Sequence, residues 1–228
     1  MPSDRPIEST DRREALKRVP VSRETELLFE AYINHLIRWQ KIKNLVGPKT
    51  LGEVWTRHIA DSAQLAHFID EDTKYLVDLG SGAGFPGLVL ACVFADRSGF
   101  EAHLVESNSR KAAFLREVSR ALKLPVHVHD ERIEDALHRL PFQIDVLTAR
   151  ALAPLSELLG LYGSLPQQPR KALFLKGQDI DSELTEAAKY WNITHESHPS
   201  LISSQGRVLV VHEVKSTVDR KSTRLNSS

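Results

Sequence analysis

The stretch Asp78-Leu-Gly80-Ser-Gly82-Ala-Gly84-Phe-Pro-Gly87 constrains this chain more than any other. It follows the short apolar run of residues 75–79 and leads into an apolar helical segment reaching residue 95. Glycines at the end of a strand let backbone approach a ligand where any Cβ would clash. In an open parallel sheet, ligands bind beyond the carboxyl ends of the strands. A strand, a glycine turn and a helix in that order therefore predict an α/β fold with a ligand crevice at the turn.

The rest of the chain fits that beginning. After residue 100, strand-like runs at 102–106, 125–129, 144–148 and 172–176 alternate with helical patterns at 110–122, 154–161 and 181–190, the last with Asp181 as its cap. Such alternation predicts a mostly parallel sheet with helices on both faces. Runs at 193–198 and 207–214 are too close for a helical crossover, so they are expected to pair as an antiparallel hairpin. Before the first strand, residues 21–70 read as an N-terminal helical extension. One helix spans 22–46, capped by Ser22, with Phe29, Tyr32, Ile33, Leu36 and Trp39 on one face, and another spans 54–69. Residues 1–20 read as a mobile tail, 71–215 as the main domain and 216–228 as an unstructured tail.

Composition narrows the class. The 228 residues are 41% hydrophobic and carry 30 basic against 30 acidic side chains, so any contact with nucleic acid needs a local patch. The one cysteine, Cys92, excludes a disulfide framework and is expected in the core. No apolar stretch is long enough for a membrane helix, and the charged N-terminus lacks a leader-like apolar run, so a cytoplasmic protein without membrane contact is expected.

Two acids flank the glycines. Asp78 opens the turn, and Glu106 closes the second strand, where a carboxylate can accept both hydroxyls of a ribose. Gly82, Gly84 and Gly87 also form a literal G-x-G-x-x-G, which taken alone suggests a dinucleotide. Pro86 removes an amide that a pyrophosphate would use, and Asp78 repels phosphate while welcoming an amino group or a sulfonium. The residues therefore favour S-adenosylmethionine over a nicotinamide or flavin cofactor.

Further motifs bring a specific resemblance. Trp39-Gln-Lys-Ile-Lys-Asn-Leu45, Arg57-His58-Ile-Ala-Asp61-Ser62, the glycine turn with its Phe-Pro-Gly close, Arg110-Lys111 with Phe114-Leu115-Arg116, Arg132-Ile133-Glu134, Arg150-Ala151 and Leu175-Lys176-Gly177-Gln178 occur in that order. Together they resemble the RsmG (GidB) family of bacterial small-subunit (16S) ribosomal RNA guanine-N7 methyltransferases, from about residue 27 to 214. The resemblance implies a Rossmann-like class I S-adenosylmethionine-dependent methyltransferase, with a mostly parallel seven-stranded sheet and an antiparallel C-terminal hairpin. It implies cofactor contacts at Gly80, Phe85, Ile133, Glu134 and Arg150, with Glu106 as the ribose acid. Asp78, Gly82 and Gly84 complete the expected cofactor set.

Guanine N7 has a lone pair and no proton, so its methylation needs orientation rather than a general base. No acid–base pair is accordingly assigned, and Arg150 is expected to orient. The partner is small-subunit ribosomal RNA or a ribosomal particle, with the enzyme expected as a monomer. Lys41, Lys43, Arg57, His58, Lys176 and Arg207 are the candidates for holding RNA, through its phosphates. His127 and His129 share a strand face without a third ligand nearby in the sequence, so no metal site is expected. Alternatives are a methyltransferase of the same fold with another substrate, or a non-catalytic ribosome-associated protein that binds the cofactor.

Overall fold

The computed structural model describes residues 10–42 and 44–217. Among these, seven strands form one sheet in the order β3-β2-β1-β4-β5-β7-β6. The strands are β1 (Tyr75–Leu79), β2 (Glu101–Val105), β3 (Val126–His129), β4 (Val146–Arg150), β5 (Lys171–Lys176), β6 (Trp191–Pro199) and β7 (Arg207–Ser216). β1 to β5 run parallel, and β7 lies antiparallel between β5 and β6, as the short loop required. The strand order reverses at β1, where β2 lies on one side and β4 on the other. That switch point opens a crevice at the carboxyl ends of the strands.

Successive residues of a strand face opposite sides, which gives the sheet two apolar layers. Leu76, Ala102, Leu104, Val146 and Leu173 face α2 (Arg23–Gln40), α4 (Gly87–Val93) and α5 (Ser109–Ala121). Val77, Leu79, Val105, Leu147 and Phe174 face α6 (Ile133–Arg139), α7 (Leu155–Ser164) and α8 (Ile180–Ala187). The stripe Phe29, Tyr32, Ile33 and Leu36 buries α2 in the first layer, with Ser22 accepting the Thr25 N–H as N-cap.

Several expectations are corrected. Residues 10–18 are not a mobile tail but helix α1 (Thr10–Arg18). Its Ala15 is buried, and Arg12 pairs with Glu26 and Glu30 of α2 and lies over the Trp55 ring. Polar composition hid it because one buried alanine and ion pairs, rather than an apolar stripe, hold it down. The tails at 1–9 and 218–228 lie outside the described residues, whereas Ser216 completes β7. The segment 54–69 is not one helix: a π-helix (Trp55–Ala60) passes into α3 (Asp61–Ala63) and a 3-10 turn (Gln64–Phe68). Asp11 of α1 starts it by accepting the N–H groups of Trp55 (2.9 Å) and Thr56 (3.1 Å). α2 ends at Gln40 rather than 46, because the Gln40 side chain takes the Leu45 and Val46 amides. Helix α6 has too few residues for its apolar period to stand out. Helix α8 starts one residue before Asp181, which sits in its first turn instead of capping it.

Candidate functional site

The glycine turn joins β1 to α4. Gly80, Gly82 and Gly84 all have positive φ, at +62°, +58° and +96°. They differ in what surrounds them. A Cβ on Gly82 would meet nothing nearer than the Gly80 carbonyl at 3.8 Å, so this residue borders open space. A Cβ on Gly80 would strike Leu152 at 2.5 Å, and one on Gly84 would strike Leu88 at 2.5 Å. Gly84 is therefore a packing glycine, not one that opens room for a ligand.

Glu106 follows β2 and braces the turn. Its Oε2 accepts the Gly82 N–H and its Oε1 the Asn108 N–H, both at 2.8 Å. Each oxygen keeps a second lone pair, which is what two ribose hydroxyls require.

Asp78 departs from its expected role. It is fully buried, with Oδ1 accepting from the Thr148 hydroxyl (2.7 Å) and Oδ2 from the Gly87 N–H (3.2 Å). Burial pushes its pKa up to about 6. Asp78 therefore ties β1 to β4 and to α4, and it holds the turn from inside rather than facing the crevice.

Arg150 ends β4, and the Arg57-His58-x-x-Asp61 segment encloses it. Its Nη2 donates to the Arg57 carbonyl (2.7 Å), its Nη1 to His58 Nδ1 (3.1 Å), and its Nε lies 3.3 Å from Asp61 Oδ2. A guanidinium only donates, so His58 Nδ1 must accept, and His58 Nε2 then donates to the Thr50 hydroxyl (2.9 Å). Burial, followed by the neighbouring Arg150, lowers the His58 pKa to about 4, so the ring is neutral. Burial raises the Asp61 pKa while Arg150 opposes the rise. The His58 ring also stacks on Phe85, with centroids 4.8 Å apart, and the Arg150 guanidinium sits 5.9 Å from the same ring. One cluster thus connects the close of the glycine turn to the end of β4.

Beyond β4 and β5 lies a cleft of about 860 Å³, lined by Arg150, Leu152, Lys176, Gln178 and Arg207 among others. Leu152, packed on Gly80, stands between this cleft and the glycine turn. The residue before it, Ala151, has φ +49°, a backbone state that is costly for a side chain with a Cβ and frequent at functional sites.

The RNA candidates divide. Lys176 is corrected: its side chain is 8% exposed, and its Nζ donates to Glu183 Oε2 (2.6 Å) and to the Ala153 carbonyl (3.1 Å). It is a buried brace between β5 and α8. Arg207, opposite Lys176 in the β5–β7 register, lines the cleft and has no carboxylate partner among the described residues. His58 is engaged with Arg150 and is no free RNA contact. Arg57 is exposed, and its one ion pair among the described residues is with Glu53 at 3.5 Å. Lys41 is exposed at the end of α2, and Lys43 lies outside the described residues. Ile133 and Glu134 open α6 after β3; Ile133 packs on the second layer and Glu134 is exposed.

Two supporting roles escaped the sequence reading, those of Tyr32 and Gln64. Tyr32, fully buried on α2, donates to the Ala83 carbonyl of the glycine turn. Gln64 donates to the Asp61 carbonyl (2.9 Å) and accepts the Leu201 N–H (2.8 Å), so it links the Asp61 segment to the β6–β7 loop. Asp61 itself was visible only as part of a motif. The available signal was helical spacing: Gln64 stands three residues after Asp61.

Known proteins fit this arrangement. A family described as GidB, rRNA small subunit methyltransferase G, matches residues 25–210. A protein of Nitrobacter winogradskyi named ribosomal RNA small subunit methyltransferase G is 48% identical over 219 residues, covering 96% of this chain and 78% of that protein. A Bradyrhizobium relative of the same name is 49% identical over 203 residues, covering 89% and 91%. Among solved structures, an O-methyltransferase from Bacillus cereus shares the fold with a TM-score of 0.58 at 12% identity, covering 88% of this chain and 96% of that one. With this fold, and with a family match spanning most of its length, the chain belongs to the ribosomal RNA small subunit methyltransferase G family.

Proposed function

We propose that this protein transfers a methyl group from S-adenosylmethionine to N7 of a guanine in small-subunit (16S) ribosomal RNA. The observation that carries the reading is the pairing of two adjoining features at one end of the sheet. The glycine turn braced by Glu106 lies at β1 and β2, and the Arg150 cleft lies at β4 and β5. The names of the relatives support the substrate class. S-adenosylmethionine supplies an electrophilic methyl group. Glu106 is suited to hold ribose hydroxyls, and Gly82 leaves the room. Arg150, fixed by His58, Asp61 and the Arg57 carbonyl, shapes the wall where a base would enter. His58, Asp61, Lys176 and Glu183 are each engaged by a neighbour, which suits a reaction that removes no proton.

The proposal takes the enzyme to act as a monomer. No helix among the described residues is long and apolar enough to cross a membrane. A cytoplasmic location follows from the proposed substrate.

Single-turnover transfer of labelled methyl to naked small-subunit RNA and to assembled particles tests the proposal. Borohydride–aniline cleavage is expected to locate 7-methylguanine at one site. Label on an exocyclic amine, on a 2′-hydroxyl or in protein would overturn it.

A further inference from the structure

We infer that Glu101, His103 and His127 form a site for one zinc-like divalent cation at the β2–β3 edge of the sheet, outside the methyl-transfer crevice. In the parallel register His103 stands directly opposite His127, and Glu101 precedes His103 by two residues on the same face. Glu101 Oε2 lies 3.1 Å from His127 Nε2 and 3.6 Å from His103 Nε2. One donor atom from each residue lies within 4.8 Å of the others. Ligands at the usual zinc bond lengths in a tetrahedron are about 3.3 Å apart. His127 stacks on the His103 ring with centroids 4.8 Å apart, and its exposed side chain turns out of that stack to close the set.

The second observation is an orphan. His103 is only 6% exposed, and its buried Nε2 has no hydrogen-bond partner. Buried polar atoms are rarely left in this state. The other nitrogen, Nδ1, is 2.9 Å from His129 Nε2. With Nδ1–H donating to His129, Nε2 keeps its lone pair free, 3.6 Å from Glu101 Oε2. This is the tautomer that a metal ligand needs, oriented by an outer hydrogen bond.

The donor set selects the ion. Two imidazoles and one carboxylate suit zinc and its neighbours, whereas calcium and magnesium prefer oxygen alone. Glu101 and His127 are partly exposed, which leaves the fourth position to water. The edge strand β3 has four residues and would gain a cross-strand clamp to β2. Glu101 starts β2 whereas Glu106 follows its end, so about 16 Å of strand separates the cation from the crevice.

Calorimetric titration of the tag-free, metal-stripped protein with zinc chloride tests the site. The wild type is expected to bind one equivalent and to melt several degrees higher at a hundredfold excess over Kd. H127A and E101Q are expected to bind at least tenfold more weakly. Both residues are on the surface, so their metal-free melting temperatures serve as the folding check. H212A, which disrupts the exposed Glu196–His198–His212 group on β6 and β7, is expected to bind zinc like the wild type. Absence of stoichiometric binding, wild-type affinity in both H127A and E101Q, or loss of binding in H212A would overturn the inference.

Discussion

Arg150 makes three separate polar contacts with one short segment, and each uses a different nitrogen of its planar fork. Lysine keeps the charge but cannot reproduce that fork. R150K is expected to slow methyl transfer about 10–100-fold, the equivalent of roughly 1.5–3 kcal/mol for lost charge-assisted hydrogen bonds. Single-turnover rates beside thermal melts check this; an unchanged rate would mean that the clasp serves stability alone. Asp78 makes a pH-dependent prediction. Its folded pKa, near 6, lies above the unfolded value, so the native state holds the proton more tightly. The associated stability is present below about pH 4 and is lost as pH rises through 6. Relative to D78N, the wild type is expected to lose on the order of 2–3 kcal/mol between pH 4 and 7. Denaturant titrations of both proteins at each pH measure that difference, and a flat or rising difference refutes the assignment. The glycines provide a third contrast. G87A would place a Cβ 2.3 Å from Leu104 and 2.7 Å from Asp78, and it is expected to cost about 1–3 kcal/mol of stability through overpacking. G82V meets open space, strains only its own positive φ, and is expected to abolish S-adenosylmethionine binding while the protein still folds. Calorimetry and denaturation together separate the two effects.

At the scale of elements, the paired strand ends of β5 and β7 bring two cations into register with opposite roles. Lys176 is neutralised by Glu183 of α8, whose same oxygen also accepts the Leu155 N–H at 2.6 Å. Removing Lys176 would take the cation from Glu183, which keeps only the Leu155 N–H, and would take the donor from the Ala153 carbonyl. K176A is therefore expected to cost about 1–3 kcal/mol of stability and to leave the salt dependence of RNA affinity unchanged. Arg207 has no such partner among the described residues, so R207A is expected to leave stability near wild type and to flatten the slope of log affinity against log salt by about 0.7–0.9. Filter binding across salt concentrations reads both slopes; the opposite pattern would put the RNA rim on the Lys176 side. The π-helix has a comparable logic. π-helical turns are rare and frequent at functional sites. This one carries both the Arg57 carbonyl and the His58 ring to Arg150.

At the scale of the whole molecule, the site depends on the far N-terminal helix. Asp11 caps the π-helix from α1, and Arg18 of the same helix donates to the Ile202 carbonyl (3.0 Å) in the β6–β7 loop. Gln64 joins that loop to Asp61. The helical extension therefore holds the wall of the cleft, and Glu14 and Arg18 of α1 line an adjoining pocket with Arg57, Asp61 and Arg150. D11A would leave two backbone amides without an acceptor and is expected to cost about 1–2 kcal/mol of stability. It should also lower methyl transfer to small-subunit RNA, because Arg57 and His58 lose their anchor. Full activity in a destabilised D11A protein would show that α1 stabilises without shaping the site.

What the sequence by itself determined was mostly local. The glycine turn, the alternation of strand and helix, the closing hairpin and the buried stripe of α2 follow from periodicity, turn chemistry and loop length. All of these act over a few residues. The placement of Glu106 and Arg150 at strand ends was legible for the same reason. Tertiary structure decided which polar groups meet. Lys176 looked free until α8 folded back to offer Glu183, and Asp78 looked ligand-facing until Thr148 of β4 and Gly87 of α4 enclosed it. His103 met His127 only through the parallel register of β2 and β3. A charge seen in sequence carries no record of its burial, because burial and pairing arise from segments brought together across crossovers. Those contacts determine whether a side chain holds a ligand or holds the fold.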